Sequence, residues 1–133
     1  MRHVTGIGGI YFKATDPKAL CAWYGKHFGI LPRNRDDESY KGTTFEWRER
    51  DKPDRVGSTV WSIMSADTKY TAPSRSSFMI NCRVEILQTV LDSLREEGVW
   101  VDEKTEESEF GKFGRIADPE GNKIEVWEPA AGM

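Results

Sequence analysis

The feature that most restricts how this chain can fold is an internal repeat. Gly29 and Gly98 lie 69 residues apart, and Asp16 and Glu85 are separated by the same offset. In the first copy Ile10 and Phe12 alternate with Tyr11 and Lys13, which reads as a strand with two different faces. Asp16-Pro17 then starts a helix, because Asp can cap and Pro suits the first helical position. Leu20, Trp23, Tyr24 and Phe28 recur at helical spacing, and Gly29 stops the run. In the second copy residues 78–84 read as a strand, and 85–97 as a helix with Leu87, Val90, Leu91 and Leu94 on one face. Gly98 is its stop.

Each strand-helix unit is followed by further strand-like segments. In the first half these are residues 30–33, 43–48 and 58–64. A polar loop separates the first two, and the turn-rich stretch 51–57 joins the last two. Residues 66–77, with Pro73 and many hydroxyl residues, form a connector without periodicity. In the second half residues 99–102 begin a strand and an acidic loop runs over 103–109. The chain then closes with FGRIADPEGNKIEVWE, residues 113–128. There Asp118-Pro119-Glu120-Gly121 has the residues of a type I turn, since Pro presets φ and Asp accepts from the turn backbone. After it Glu125 and Trp127 alternate with Ile124 and Val126.

The simplest account is an α+β chain of two βαβββ repeats, about 5–65 and 78–129, joined by the connector. They pack as a single domain over 1–133 with a cavity enclosed by curved mixed sheets. At 133 residues the chain is large enough for one ordinary core. A net charge of −3 gives no electrostatic case for nucleic acid or an anionic membrane, and no apolar run approaches the roughly 20 residues of a membrane span. The start, MRHVTGIGGIYF, lacks the features of a secretory signal, and Cys21 and Cys82 read as reduced core residues, so cytoplasmic is the expected location.

The βαβββ repeat, the helix end Ala22-Trp23-Tyr24-Gly25-Lys26-His27-Phe28-Gly29 and the closing Ala117-to-Glu128 segment resemble the vicinal oxygen chelate superfamily. That group includes glyoxalase I, bleomycin-resistance proteins, fosfomycin-resistance enzymes and extradiol dioxygenases. The resemblance implies the fold and says little about the reaction, because one scaffold hosts many chemistries. It also implies four metal-ligand positions. The closing motif puts Glu125 on the last. The others fall on Gly9, near Ser62, and on Phe78 or Met79 depending on a one-residue shift. Glycine has no ligand to offer, Ser is a weak one, and Phe and Met suit no hard or borderline cation. His3 lies too early and His27 lies in the helix. No metal and no other cofactor is therefore expected.

The remaining cavity would be lined by aromatic groups with a few polar ones, which suits a flat or amphipathic small molecule. Alternation places Tyr11 with Lys13 and with Gly9, and Glu125 with Lys123 and Trp127. The ligand-binding candidates are Tyr11, Trp47, Trp61, Met79, Asn81, Phe110 and Phe113, with the choice between Phe45 and Glu46 left open by parity. Glu125 and Glu46 are the catalytic candidates for a second reading, a lyase or isomerase with a carboxylate base, with or without a divalent metal, since a carboxylate in apolar surroundings is harder to ionise and so better matched to a carbon acid. A carboxylate at position 125 needs a partner, for which Lys123, Lys13, Tyr11 or a water are at hand. One of the acidic residues of 103–109 could also reach inward. The exposed strand edges of each repeat, and the habit of the resembled family, suggest a homodimer.

Overall fold

The computed structural model describes residues 3–33 and 41–133, so most of the polar loop after residue 33 lies outside the described residues. In chain order the elements are β1 (Val4–Ala14), α1 (Pro17–Phe28), β2 (Gly42–Arg48), β3 (Val56–Ser65), β4 (Phe78–Val84), α2 (Leu87–Glu96), β5 (Glu106–Ser108), β6 (Gly111–Ala117) and β7 (Lys123–Pro129). Their seven strands form one mixed sheet in the order β2-β3-β1-β4-β7-β6-β5, with β2 and β5 as its edges. The two repeats are joined by the antiparallel pairing of β1 with β4. Around that seam the halves match: β3 lies parallel to β1, and β7 lies parallel to β4.

The repeated signals act as their chemistry requires. Asp16 accepts a hydrogen bond from the Ala19 amide at 3.0 Å, and Gly29 ends α1 with φ of 71°. Gly98 follows α2 with φ of 81°, again the left-handed backbone that glycine adopts without penalty. Glu85 does not cap. Instead Glu128, brought alongside from β7, accepts from the Leu87 amide at 2.9 Å. The apolar face of α2 is buried as its spacing indicates: Leu87, Val90 and Leu91 close over Val84 and Val126, with Leu94, Val101 and Ile116 around them. Helix α1 buries less. It covers Phe12, Ala14 and Ile63 through Leu20, Cys21 and Tyr24, while Trp23 and Phe28 stay exposed at 48% and 67%. Both cysteines are free and half-buried.

The closing hairpin sets the register that matters most. The Asp118 carboxylate accepts from the Glu120 and Asn122 amides, each at 2.9 Å, and from the Asn122 side chain at 2.9 Å. These Asn122 bonds, side chain first, hold the Asp118 carboxyl below the usual range. Gly121 completes the turn with φ of 82°. The turn aligns β6 and β7 so that Arg115 stands directly opposite Glu125.

Three segments differ from their sequence reading. Residues 30–33 form no strand. Pro32 has no amide to donate, and Arg33 makes one backbone bond to Gly42 at 3.0 Å. Residues 99–102 contribute only an isolated bridge between Val101 and Ile116. Part of the acidic loop, by contrast, forms β5, because Gly111 with φ of 121° permits a tight return onto β6.

Candidate functional site

Strand alternation decides what faces the hollow of the sheet. On β1, Ile10, Phe12 and Ala14 pack under α1, which leaves Tyr11 on the opposite face. On β3, Trp61 and Ile63 lie on the helix side, so Val56, Ser58, Val60 and Ser62 line a cavity of about 730 Å³. From β2 come Thr44 and Glu46, which resolves the parity of that strand, and from β6 and β7 come Phe113, Glu125 and Trp127. Phe110, Arg33, Gly132, Met133 and the connector's Tyr70 complete the wall.

The structure therefore brings Tyr11, Glu46, Phe110, Phe113 and Glu125 to one cavity. It places the other candidates elsewhere. Trp61 lies in the core between Phe12 and Tyr24, with ring centroids 4.9 and 5.2 Å away. Trp47 covers Gly57, where a Cβ would come within 2.3 Å of its ring, and donates to Thr59 Oγ1 at 2.8 Å. Met79 and Asn81 are buried, 1% and 0% exposed, and neither lines the cavity. Asn81 serves it from behind by holding Glu125.

Glu125 is wholly buried. Asn81, Glu125 and Arg115 form one row across β4, β7 and β6. Asn81 Nδ2 donates to Oε1 at 2.8 Å. Oε2 accepts from the Tyr70 hydroxyl at 2.5 Å and faces Arg115 Nη2 at 3.4 Å. Arg115 also reaches Glu106 of the acidic run at 3.2 Å, although the Glu106 side chain itself stays exposed. Lys123, expected beside Glu125, instead donates to the Tyr70 and Ala72 carbonyls at 2.7 and 3.1 Å and so fastens the connector. Tyr70 is thus held at both ends, and its ring lies 6.2 Å from that of Tyr11.

The electrostatics fit this arrangement. Burial, then the charge of Glu125, pushes the Tyr70 hydroxyl well above the usual phenol range, so it remains a proton donor. Burial works to lower the Arg115 pKa, but the Glu106 bond, Tyr70 and Glu125 outweigh it and the net shift is upward. Burial, then repulsion from Arg115, lowers that of Lys123.

The positions that the resembled family uses for a divalent ion do not fit one. Gly9 has no donor, and a Cβ there would come within 2.7 Å of the Tyr11 ring. Phe78 pairs with Phe12 and stacks on it, while Met79 pairs with Tyr11, so the one-residue ambiguity leaves no oxygen or nitrogen ligand either way. Among the described residues no three His, Cys, Asp or Glu side chains cluster. Both oxygens of Glu125 already face donors, one of them a guanidinium. The chain's own Arg115 thus supplies a positive charge beside this carboxylate.

Sequence reasoning missed Tyr70 and Arg115. Arg115 carried a usable signal, because the Asp-Pro-x-Gly turn fixes its register against Glu125. Tyr70 comes from a connector with no periodicity and carried none.

No protein-family model matches the chain, and no curated protein matches it significantly. Solved structures do. A methylmalonyl-CoA epimerase from Streptomyces coelicolor, in complex with 2-nitronate-propionyl-CoA, has a TM-score of 0.67 at 16% identity, with 97% of each chain covered. A methylmalonyl-CoA epimerase from Mycobacterium tuberculosis has a TM-score of 0.57 at 20% identity, covering 98% of this chain and 91% of the other. A glyoxalase/bleomycin resistance protein/dioxygenase superfamily member from Vibrio splendidus has a TM-score of 0.57 at 7% identity, covering 91% and 96%. At these identities the likeness is one of fold.

Proposed function

We propose that this chain, which has the vicinal oxygen chelate fold, binds a small flat or amphipathic molecule in its cavity without a metal ion. The observation that carries the reading is the state of Glu125, which sits in the cavity wall but is fully buried, with both oxygens already engaged by Tyr70, Asn81 and Arg115. What a ligand meets instead is the aromatic wall of Tyr11, Tyr70, Phe110, Phe113 and Trp127, with Thr44, Ser58 and Ser62 as hydroxyl groups. Rings contribute apolar area and specific stacking, and a few hydroxyls fix orientation. The neutral fluorophore N-phenyl-1-naphthylamine tests this in buffer containing EDTA. It should bind saturably at one site per chain, and Tyr70→Ala should weaken binding roughly five- to tenfold, the effect of losing about 1 kcal/mol of ring contact. Absence of saturable binding, or equal affinity in Tyr70→Ala, contradicts the reading.

A second reading, a lyase or isomerase, is favoured by Glu46 rather than Glu125. Glu46 lines the cavity, is exposed, and makes no hydrogen bond or ion pair among the described residues, so it is the carboxylate able to accept a substrate proton.

The sheet leaves two edges, β2 and β5. Exposed edges invite pairing, and we read the protein as a homodimer. Light scattering should give about twice the mass of one chain at micromolar concentration; a single-chain mass contradicts this.

A further inference from the structure

Arg83 is a buried cation outside the Glu125 cluster, 8% exposed. Its guanidinium lies between two indoles, 5.4 Å from the ring centre of Trp47 and 5.0 Å from that of Trp127. Glycines clear the space around it. A Cβ on Gly8 would come within 3.0 Å of Arg83 Cγ and 2.8 Å of Trp127, and one on Gly6 within 2.9 Å of Trp47. Its hydrogen bonds both leave from Nη1, to the Ser58 carbonyl at 3.2 Å and the Ser58 hydroxyl at 3.4 Å. Among the described residues no carboxylate lies within ion-pair distance, and Nε and Nη2 donate to none of them. Arg115, by contrast, has two carboxylates beside it. Glu49 attracts it and Arg55 repels it from beyond ion-pair distance. A desolvated cation with no counter-charge within ion-pair distance is costly to keep, and it leaves a positive field in whatever space adjoins it.

That space is the cavity. Ser58 and Trp127, the two residues holding the guanidinium on this side, are both cavity walls, and Gly132 and Met133 line the same end. The Ser58 hydroxyl accepts from Arg83 and donates at 3.0 Å to a main-chain oxygen of Met133, the last residue of the sequence, so an incoming acceptor takes the Ser58 proton by displacing that oxygen. We infer that this end of the cavity is an anion subsite, and that the ligand is a planar aromatic molecule carrying one carboxylate, sulfonate or similar anionic group. The anion accepts from the Ser58 hydroxyl with Arg83 behind it as counter-charge, while the ring lies along Trp127 and Phe113. This rests on the proposed reading of the cavity as a ligand site. Glu46 stands opposite Ser58 on β2 and opposes an anion here, so its charge works against the subsite.

Two fluorophores with one skeleton separate these claims. 8-Anilino-1-naphthalenesulfonate carries the anion, and N-phenyl-1-naphthylamine lacks it. In the wild-type protein the sulfonate should bind at least about tenfold tighter than the neutral probe, the strength of one charge-assisted contact. Ser58→Ala and Arg83→Met should bring the ratio close to one, and Glu46→Gln should raise it. A wild-type ratio of one or below overturns the subsite, as does a ratio that neither Ser58→Ala nor Arg83→Met changes. If Arg83→Met does not fold, the wild-type ratio and Ser58→Ala decide alone. Equal saturable binding of both probes overturns the subsite and leaves the cavity reading standing; saturable binding of neither overturns both.

Discussion

Arg115→Met lowers the melting temperature by roughly 10 °C, the equivalent of about 3 kcal/mol in a chain of this size. Methionine fills most of the aliphatic volume, so packing is largely kept. What is lost is the cation 3.4 Å from a carboxylate that has no solvent exposure. Asn81 and Tyr70 still donate to Glu125, which keeps the loss near the lower end for a broken buried pair. Thermal melts by circular dichroism read the effect. A shift of only a degree or two would mean that Arg115 and Glu125 are not coupled as described.

Glu125→Gln has a smaller cost, about 1–2 kcal/mol, because Arg115 keeps Glu106 at 3.2 Å. The glutamine amide must also point one N–H₂ at a site now occupied by donors. Asn81 can relieve this by turning over, since its buried Oδ1 has no partner among the described residues and can accept from the new amide. The decisive result is the double variant. Once Arg115 is gone, the buried carboxylate is a liability, so Glu125→Gln in the Arg115→Met background should be neutral or raise stability. Additive losses in the double variant would contradict the pairing. Glu128 takes part in the fold by accepting from the Leu87 amide, and Gln there retains an acceptor.

The repeat was legible because its signals are local. Asp16, Gly29 and Gly98 act through their own backbone geometry, and the alternation of β1, β4 and β7 survives in the folded sheet. The start of α2 was not legible, because Glu128, forty-one residues downstream of Leu87, supplies the acceptor there, which no local pattern could reveal. Parity on β2 and β3 was hidden for a related reason. Trp61 and Trp47 are as apolar as any cavity wall, and only the position of α1 decides that Trp61 belongs to the core. The Arg115–Glu125 pair could have been found by counting outward from the turn. Tyr70 could not, since a connector residue reaches Glu125 only through the packing of the whole domain.

The central claim is that the chain's own donors engage both oxygens of Glu125, the one carboxylate at the ligand positions implied by the resembled family. Equilibrium dialysis of the purified protein against Zn²⁺, Mn²⁺, Co²⁺ and Ni²⁺, followed by elemental analysis, tests it most directly. The arrangement of Tyr70, Asn81 and Arg115 around Glu125 predicts well under one ion per chain for every metal, unchanged in Glu125→Gln. About one tightly held ion per chain, lost in Glu125→Gln, would contradict it.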